Sequence, residues 1–593
     1  MYLKITRVKD KKTNVKREYL RIAETYREKG KWKQRIIAHL GRVDLIPKEQ
    51  LLNISRKLAK IAGEEVYTES DLEAKSSLYF GPILILRKIW DDLRLGEIIK
   101  EECKRKDVAE RIFVIVCSRL LQPESEHGLS YFLKEYYVWD DRGRRWEPEF
   151  KEDLGERAKR GDGGDRVKVE WRKLQRWYRA LDKLIENKER IELRIYERVK
   201  DLFSLKVDIV FYDITSTYFE GKGPKELAKF GYSRDGKKDK LQILLGIVMA
   251  NGIPIAHHVF AGNTADKETL EFVVKDLKER FEINNIILVA DRGINTVENS
   301  KKLDELGYKY ILGVSLRNSK EAKGILEKIK ELKWEDYDNT TKYAFVEVEE
   351  GGKIEKWILV DSLERKGYER RLREAWMERG ARELQELKER VRSGKLKDER
   401  KIAYYLGSIS RKNHIKRYFD WEIRGGGFRF WVSEEKLEFE ERCEGKYLLR
   451  TTEEGLTVKE IIREYKNLWE VESCFREIKD VIKIRPIYHQ REGRAKAHIF
   501  TCVLAYLVEE VLERRVKSSG MKMTAQDVLE FLKGIKVVEI EAGGKRIKLI
   551  SQEIDRVARE ILGIFGLKMQ RSFEEGKISN FIDKEYVQMR LFD

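Results

Sequence analysis

Residues 241–263 read LQILLGIVMANGIPIAHHVFAGN, two apolar runs joined by Asn251-Gly252. Asn-Gly between strand-like runs is the strongest short-range hairpin signal, because a two-residue type I′ turn needs positive φ at both central positions. An antiparallel pair is thereby fixed near the middle of the chain, and the flanking segments must be arranged around it. Before it, Val207–Tyr212 is apolar and β-branched or aromatic, as in a buried strand, and it ends on Asp213. After it, Leu270, Val273, Val274, Leu277 and Phe281 follow helical spacing. NIILVA then predicts a buried strand ending at Asp291-Arg292-Gly293. A helix ending near Gly307 and a last strand, YKYILGV, follow.

The resulting order is strand, hairpin, helix, strand, helix, strand, which is that of a ribonuclease-H-like domain. A fold of this kind does not by itself name a function. At 593 residues the chain is too long for one core. Its texture divides into a small β unit (1–45), a helical region (46–205), a first core segment (206–316), a β-rich and charged insertion (317–454), a second core segment (455–520) and a C-terminal helical tail (521–593). The expected class is α/β, with a ribonuclease-H-like core, a β-rich insertion, and N- and C-terminal flanks. The Gly-rich stretch ERAKRGDGGDRVK predicts an exposed loop within the helical region. No fixed-period repeat is present, which disfavours a solenoid. The triple glycine at 425–427 lacks the Lys-Ser/Thr of a phosphate loop and reads as a turn.

The net charge is +18 in a chain that is 38% charged, which points to a polyanionic partner, most simply nucleic acid. Heavy use of Lys, Glu and Arg also fits a hot environment. The five cysteines are scattered without a CxxC pair, so a zinc ribbon or disulfide framework is disfavoured and a reducing cytoplasm fits. The N-terminal residues lack a signal-peptide core. The greasiest stretch, AHIFTCVLAYLVEEVL, is interrupted by Glu509 and Glu510 and reads as a buried helix rather than a membrane span.

Three acids draw attention together. Asp213 and Asp291 each close a predicted strand, and ligands in α/β sheets gather beyond strand ends. A helix near 457–482 carries the apolar stripe Val458, Ile461, Ile462, Tyr465, Leu468, Trp469, Phe475, Ile478 and Ile482. Glu472 interrupts that stripe, and Tyr465, Glu472 and Lys479 fall seven residues apart on one face. Two of the acids have an ordinary reading: a turn residue for Asp213, an ion pair with Lys479 or Arg476 for Glu472. Clustered carboxylates repel unless cations neutralise them, and all-oxygen ligands favour Mg²⁺ or Mn²⁺. Two such ions about 3.5–4 Å apart suit phosphodiester chemistry. Asp266, before an amphipathic helix, reads as an N-terminal cap. His257 and His258 point oppositely on one strand and form no metal pair. His489 and His498 pack or contact DNA; Trp469 is core or a stacking surface for an unpaired base.

FYDITSTYFEG, GIVMANGIPIAHHVFAGNTADKETL, LVADRGINT and YKNLWEVESCFREIKDVIKIRPIYH together resemble the DDE transposases of prokaryotic insertion sequences, specifically insertion-sequence family four, over about 206–510. That family's Tyr-Arg-Glu-Lys signature falls on Tyr465, Leu468, Glu472 and Lys479, with leucine replacing the arginine. Its DNA contact is then missing or supplied by Arg463 or Arg476. The resemblance implies Asp213, Asp291 and Glu472 as catalytic metal ligands for two Mg²⁺ ions, with Mn²⁺ substituting. It implies Tyr465 and Lys479 as DNA contacts, and Arg292, Arg476, Lys483 and Arg485 are further candidates. The implied activity is binding of terminal inverted repeats in double-stranded DNA, cleavage at the element ends and joining of 3′-hydroxyls to target DNA. The enzyme is expected as a homodimer in the DNA complex, cytoplasmic and nucleoid-associated, with the 46–205 region binding the ends and no membrane partner. A metal-dependent nuclease without strand transfer and a non-catalytic DNA-binding derivative remain the alternatives.

Overall fold

The computed structural model describes residues 1–9, 14–63, 66–147, 164–203, 208–284, 286–350, 353–542, 545–551 and 553–568. These fall into two compact units.

The first unit comprises residues 1–77 and 537–550. Strands β1 (Tyr2–Lys9), β2 (Lys16–Glu28) and β3 (Lys31–Arg42) form an antiparallel sheet in that order. The unit continues beyond the expected boundary at 45, through the Lys48–Ile61 helix and β4 (Leu72–Tyr79). Strand β4 joins a second sheet whose other members come from the far end of the chain. Those are β16 (Lys536–Ala542) and β17 (Lys545–Ile550), in the order β17-β16-β4. The region expected to be helical from 46 opens with helix at Lys48 but is interrupted by β4, and the 521–593 tail, expected to be helical, also supplies two strands. Residues 569–593 of that tail lie outside the described residues.

The second unit holds the core. Its N-terminal region is helical, with Gly81–Asp92, Lys106–Leu121, Gly164–Glu186 and Lys188–Leu202 among its helices. The long periodic stretch at 171–203 is two helices, because Asn187 leaves helical geometry between them. The predicted Gly-rich loop lies outside the described residues up to 163, and helix begins at Gly164. The Glu492–Ser518 helix is apolar on nearly every side and is buried among these helices and the sheet. Among the described residues no helix is long and apolar enough to cross a membrane.

Nine strands make the main sheet. Its founding members are β5 (Ile209–Tyr218), β6 (Gln242–Ala250), β7 (Ile253–Ala261), β8 (Ile287–Ala290) and β9 (Lys309–Val314). Strand β5 pairs antiparallel with β6 on one side and parallel with β8 on the other, and β8 pairs parallel with β9. The hairpin therefore sits on one flank and the parallel strands on the other, as expected for a ribonuclease-H-like core. Asn251 and Gly252 take φ of 48° and 71°, the positive values a type I′ turn requires. The Asp266–Glu279 helix buries Leu270, Val273, Val274 and Leu277 against the sheet.

The insertion after β9 divides in two. Strands β10 (Glu335–Asp336), β11 (Thr341–Glu350), β12 (Lys353–Ser362) and β15 (Lys446–Thr451) extend the main sheet beyond β9, giving the order β10-β11-β12-β15-β9-β8-β5-β6-β7. Between β12 and β15, the Leu363–Arg392 and Glu399–Asn413 helices and the hairpin β13 (Phe419–Arg424) and β14 (Gly427–Val432) close a separate core. Leu384, Ile402, Leu406, Phe419 and Phe428 are among its members. Because β15 returns to pair with β9, the chain re-enters the core beside its parallel strands, and the next helices reach the acid-bearing strand.

Candidate active site

Asp213 does not end its strand, contrary to the expectation from its sequence. The strand continues through Thr215, Ser216 and Thr217, which are buried and β-forming, so Asp213 lies at mid-strand opposite Ile247. Asp291 immediately follows β8. Since Tyr212 pairs in parallel with Ala290, the next residue of each strand is an aspartate, and the register sets the two side by side. The third acid comes from a helix that is broken, not continuous over 457–482. Val458–Lys466 begins with a capping box between Thr457 and Glu460, the chain turns at Asn467-Leu468, and Trp469–Asp480 starts afresh. The break sends Val471, Cys474, Phe475 and Ile478 into the core and leaves Glu472 exposed, so the glutamate does not interrupt the buried stripe.

Asp213, Asp291 and Glu472 line one cavity of about 290 Å³, together with Thr215, Arg234, Asp266, Gly293 and Phe475. Burial raises the Asp213 carboxyl to about 7, and the charges of Asp291 and Glu472 add to the rise. A hydrogen bond from the Ile214 amide (2.7 Å) and the Arg234 guanidinium oppose it only in part. A half-buried carboxylate facing two more, through oxygen atoms only, fits a divalent cation of the Mg²⁺ type, which would relieve that burden.

Two residues at this cavity have roles that the sequence does not reveal. Asp266 is the first residue of its helix and not its cap, a place taken by Ala265, and its carboxylate accepts a 2.7 Å bond from Arg234. Arg234 comes from the loop between β5 and β6, and its backbone amide donates to Ser216 Oγ at 2.8 Å. The hydroxyls that follow Asp213 are thus strand residues, one of which anchors this loop. Nothing in the sequence marks Arg234, since its loop resembles any polar turn.

The candidate DNA contacts separate into two groups. Tyr465 does not present its hydroxyl outward; it donates to Asp291 Oδ1 at 3.2 Å, and its ring stacks on Tyr447. A Cβ at Gly313 would collide with that hydroxyl, so the small residue on β9 makes the approach possible. Lys479 is half-buried in an ion pair with Asp235 at 3.0 Å, where partial burial lowers its pKa, and Arg485 joins the same carboxylate and Asp480. Tyr465, Lys479 and Arg485, read from the sequence as candidate DNA contacts, are thus each engaged by a carboxylate of the fold. Asp235 adjoins Arg234, so this ion pair ties the arginine's loop to the helix bearing Glu472. Leu468, at the signature's arginine position, is buried. Arg292, Arg476 and Lys483 are exposed. Arg292 also lines a larger cavity of about 890 Å³ beside the first, with Arg317, Lys323, Lys416 and Arg417 on its walls and Glu327, Glu435 and Glu440 among them. Trp469, expected in the core, is 59% exposed.

His257, His258, His489 and His498 are engaged within the fold. Glu126, His489 and His498 bring ligand atoms within 4.8 Å of one another. His498 uses both nitrogens, with Nε2 bonded to the Ile484 carbonyl at 2.8 Å and Nδ1 facing Arg119 at 3.1 Å. A ring so engaged beside a guanidinium has no lone pair for a metal. His257 pairs with Glu192 (2.5 Å) and His258 with Asp276 (3.4 Å) inside the fold.

A mixed α/β core with carboxylates from two adjacent strands and a returning helix defines an enzyme of the DDE class. The sequence model of the transposase DDE domain matches residues 208–508, just over half of the chain. The chain belongs to that family and is a transposase; enzymes of the family generally use divalent metal ions. The model of the N-terminal domain of IS1634 family transposases matches residues 4–70. Among solved structures, a Mos1 transposase paired-end complex with left transposon end is similar at 12% identity, covering 32% of this chain and 68% of that one, with a TM-score of 0.14. No curated protein sequence matches the chain.

Proposed function

We propose that this transposase binds the terminal inverted repeats of its element, cleaves the DNA at the element ends and joins the freed 3′-hydroxyls to target DNA. Asp213, Asp291 and Glu472 would hold two Mg²⁺ ions, with Mn²⁺ able to substitute. The observation that carries this reading is the meeting of these three carboxylates at one cavity where Asp213 is raised to about 7. When bound, divalent ions supply activation of the attacking oxygen and charge neutralisation at the phosphodiester. Tyr465 orients the Asp291 carboxylate through its hydroxyl. Arg234, held by Asp266 and Ser216, keeps a fixed positive charge over the acids. Arg292 and the cations of the adjoining larger cavity offer contacts for DNA phosphates leaving the site, with Arg476 and Lys483 exposed nearby in sequence. The N-terminal match favours the IS1634 family over family four. The working form on DNA is a homodimer acting in the cytoplasm on the nucleoid, and helices of the 46–205 region assist in holding the ends.

The test is Mg²⁺-dependent cleavage of duplexes copied from the DNA bracketing the gene. Asp213→Asn, Asp291→Asn and Glu472→Gln should each lose at least about a hundredfold in rate, as expected when a metal-binding group is removed. Retained cleavage in any of them removes that residue from the site. Pre-cleaved ends supplied with target DNA should yield joined product; cleavage without joining would make the enzyme a nuclease of the same fold.

A further inference from the structure

The chain between β5 and β6, residues 219–241, is a polar loop rich in lysine, and loops of that kind ordinarily lie loosely on a surface. This one is fastened along its length. Lys229 and Gln242 exchange backbone hydrogen bonds at 2.8 and 3.2 Å. Gly231 lies so close to Gly262 that a Cβ on it would strike the Gly262 carbonyl. The next residues are tied to three further elements. The Arg234 amide donates to Ser216 Oγ on β5 at 2.8 Å, and its Nη2 donates to Asp266, at the start of the Asp266–Glu279 helix, at 2.7 Å. Asp235, whose side chain is 9% exposed, accepts from Lys479 on the helix that bears Glu472 at 3.0 Å.

This fastening holds one side chain at the acids. Among the described residues that line the cavity of Asp213, Asp291 and Glu472, Arg234 is the only cation. A guanidinium carries five N–H donors in a planar fork. An arginine that serves only to neutralise an aspartate pairs through two nitrogens, as Arg494 does with Asp182 at 2.8 and 2.9 Å. Asp266 instead engages Nη2 of Arg234 alone among the described residues, and the side chain remains 24% exposed. Nε and Nη1 therefore stay available to whatever enters the cavity. A phosphodiester there gains charge on its non-bridging oxygens as phosphorus becomes five-coordinate. A forked donor fixed before the reaction is suited to that charge and needs no reorganisation to meet it.

We propose that Arg234 is a further catalytic residue, whose remaining N–H groups bind a non-bridging oxygen of the scissile phosphate. The inference rests on the transposase reading. Arg234 gives and takes no proton; the bond made at phosphorus and the bond broken are those of the cleavage itself.

The test is single-turnover cleavage by saturating full-length enzyme in Mn²⁺, on duplexes copied from the DNA bracketing the gene. The scissile linkage is either phosphate or one of its two phosphorothioate stereoisomers, which place sulfur, a weak hydrogen-bond acceptor, at one non-bridging position or the other. Arg234→Ala should lower the rate on phosphate at least about a hundredfold. Duplex affinity by anisotropy should stay within about threefold and the melting temperature should hold, as when an interaction of the transition state is lost. Arg234→Lys should keep less than about a tenth of the parent rate, because a point charge does not reproduce the fork. One stereoisomer should slow the parent at least about fivefold and slow Arg234→Ala less than about twofold, since the contact it weakens is already gone. A merely structural arginine would lower the rate on all three linkages alike. Should circular dichroism show Arg234→Ala unfolded, Arg234→Met, which keeps the aliphatic stem, gives the reading. A variant that shows the parent's stereoisomer pattern, a parent with no such pattern, or a variant rate within about threefold of the parent overturns the contact and leaves the transposase reading standing. A parent that cleaves none of the duplexes refutes the transposase reading, and this inference with it.

Discussion

Tyr465 and Gly313 act as one unit although they lie on a helix and a strand far apart in the chain. The hydroxyl reaches Asp291 only because β9 has no side chain where the ring passes. Tyr465→Phe removes one hydrogen bond to a carboxylate and nothing else, a loss of about 1–2 kcal/mol, or roughly five- to thirtyfold. The expected result is a cleavage rate lower by that factor with thermal stability nearly unchanged. Gly313→Ala should lower the rate at least as much, because its Cβ displaces the same hydroxyl. Measuring both with the double variant is decisive. If the two effects multiply, they act independently and the proposed contact is wrong; if the double variant equals the worse single, the contact is shared.

At the scale of elements, the Glu492–Ser518 helix carries a buried carboxylate, Glu509. Glu509 is buried, accepts a 3.0 Å bond from Gln526, and is raised to about 7 by burial and by the nearby Glu477, Glu513 and Glu510. Its folded-state pKa lies above the unfolded value, so the native state holds an extra proton between about pH 4.5 and 7. Stability from this group is present below that window and falls as pH rises through it. Glu509→Gln should therefore be more stable than the parent at pH 8 by about 2–3 kcal/mol, and should match it at pH 4.5. Equal unfolding curves at pH 8 would refute the buried-charge account. The break at Asn467-Leu468 gives a second case. Leu468→Arg restores the family-four signature but buries a guanidinium, and should cost about 3 kcal/mol or more in urea unfolding; a neutral effect would mean that the position opens to solvent. These elements also show what sequence patterns reveal. The Asn251-Gly252 hairpin, the Asp266–Glu279 helix and the two aspartates are legible because turn chemistry and apolar period are local. The true extent of β5, the helix break and the burial of Lys479 are not. Lys479 has the look of a surface phosphate contact, and only its partner Asp235, 244 residues away, takes it inside. Asp266 looks like a cap in the sequence because its partner Arg234 comes from a turn with no pattern of its own.

At the scale of the whole molecule, the first unit is built from both ends of the chain. Strand β16 is the middle of its three-stranded sheet, between β17 and β4, and Ile540 sits within it opposite Ile547. Neither end can complete this sheet alone, so the unit depends on a segment more than four hundred residues from β4. Proline at a central strand position removes a ladder donor and fixes φ, which destabilises the sheet. Ile540→Pro should therefore loosen the first unit selectively. Limited proteolysis is expected to cut within 66–77 and 545–550 at least about tenfold faster than in the parent, because exposure of the open form follows its free energy. Sites within the main sheet should be cut at the parent's rate, since β5 to β9 draw on a separate core. Uniform acceleration at both sets of sites would show that the two units unfold as one, and the division drawn from their packing would not hold.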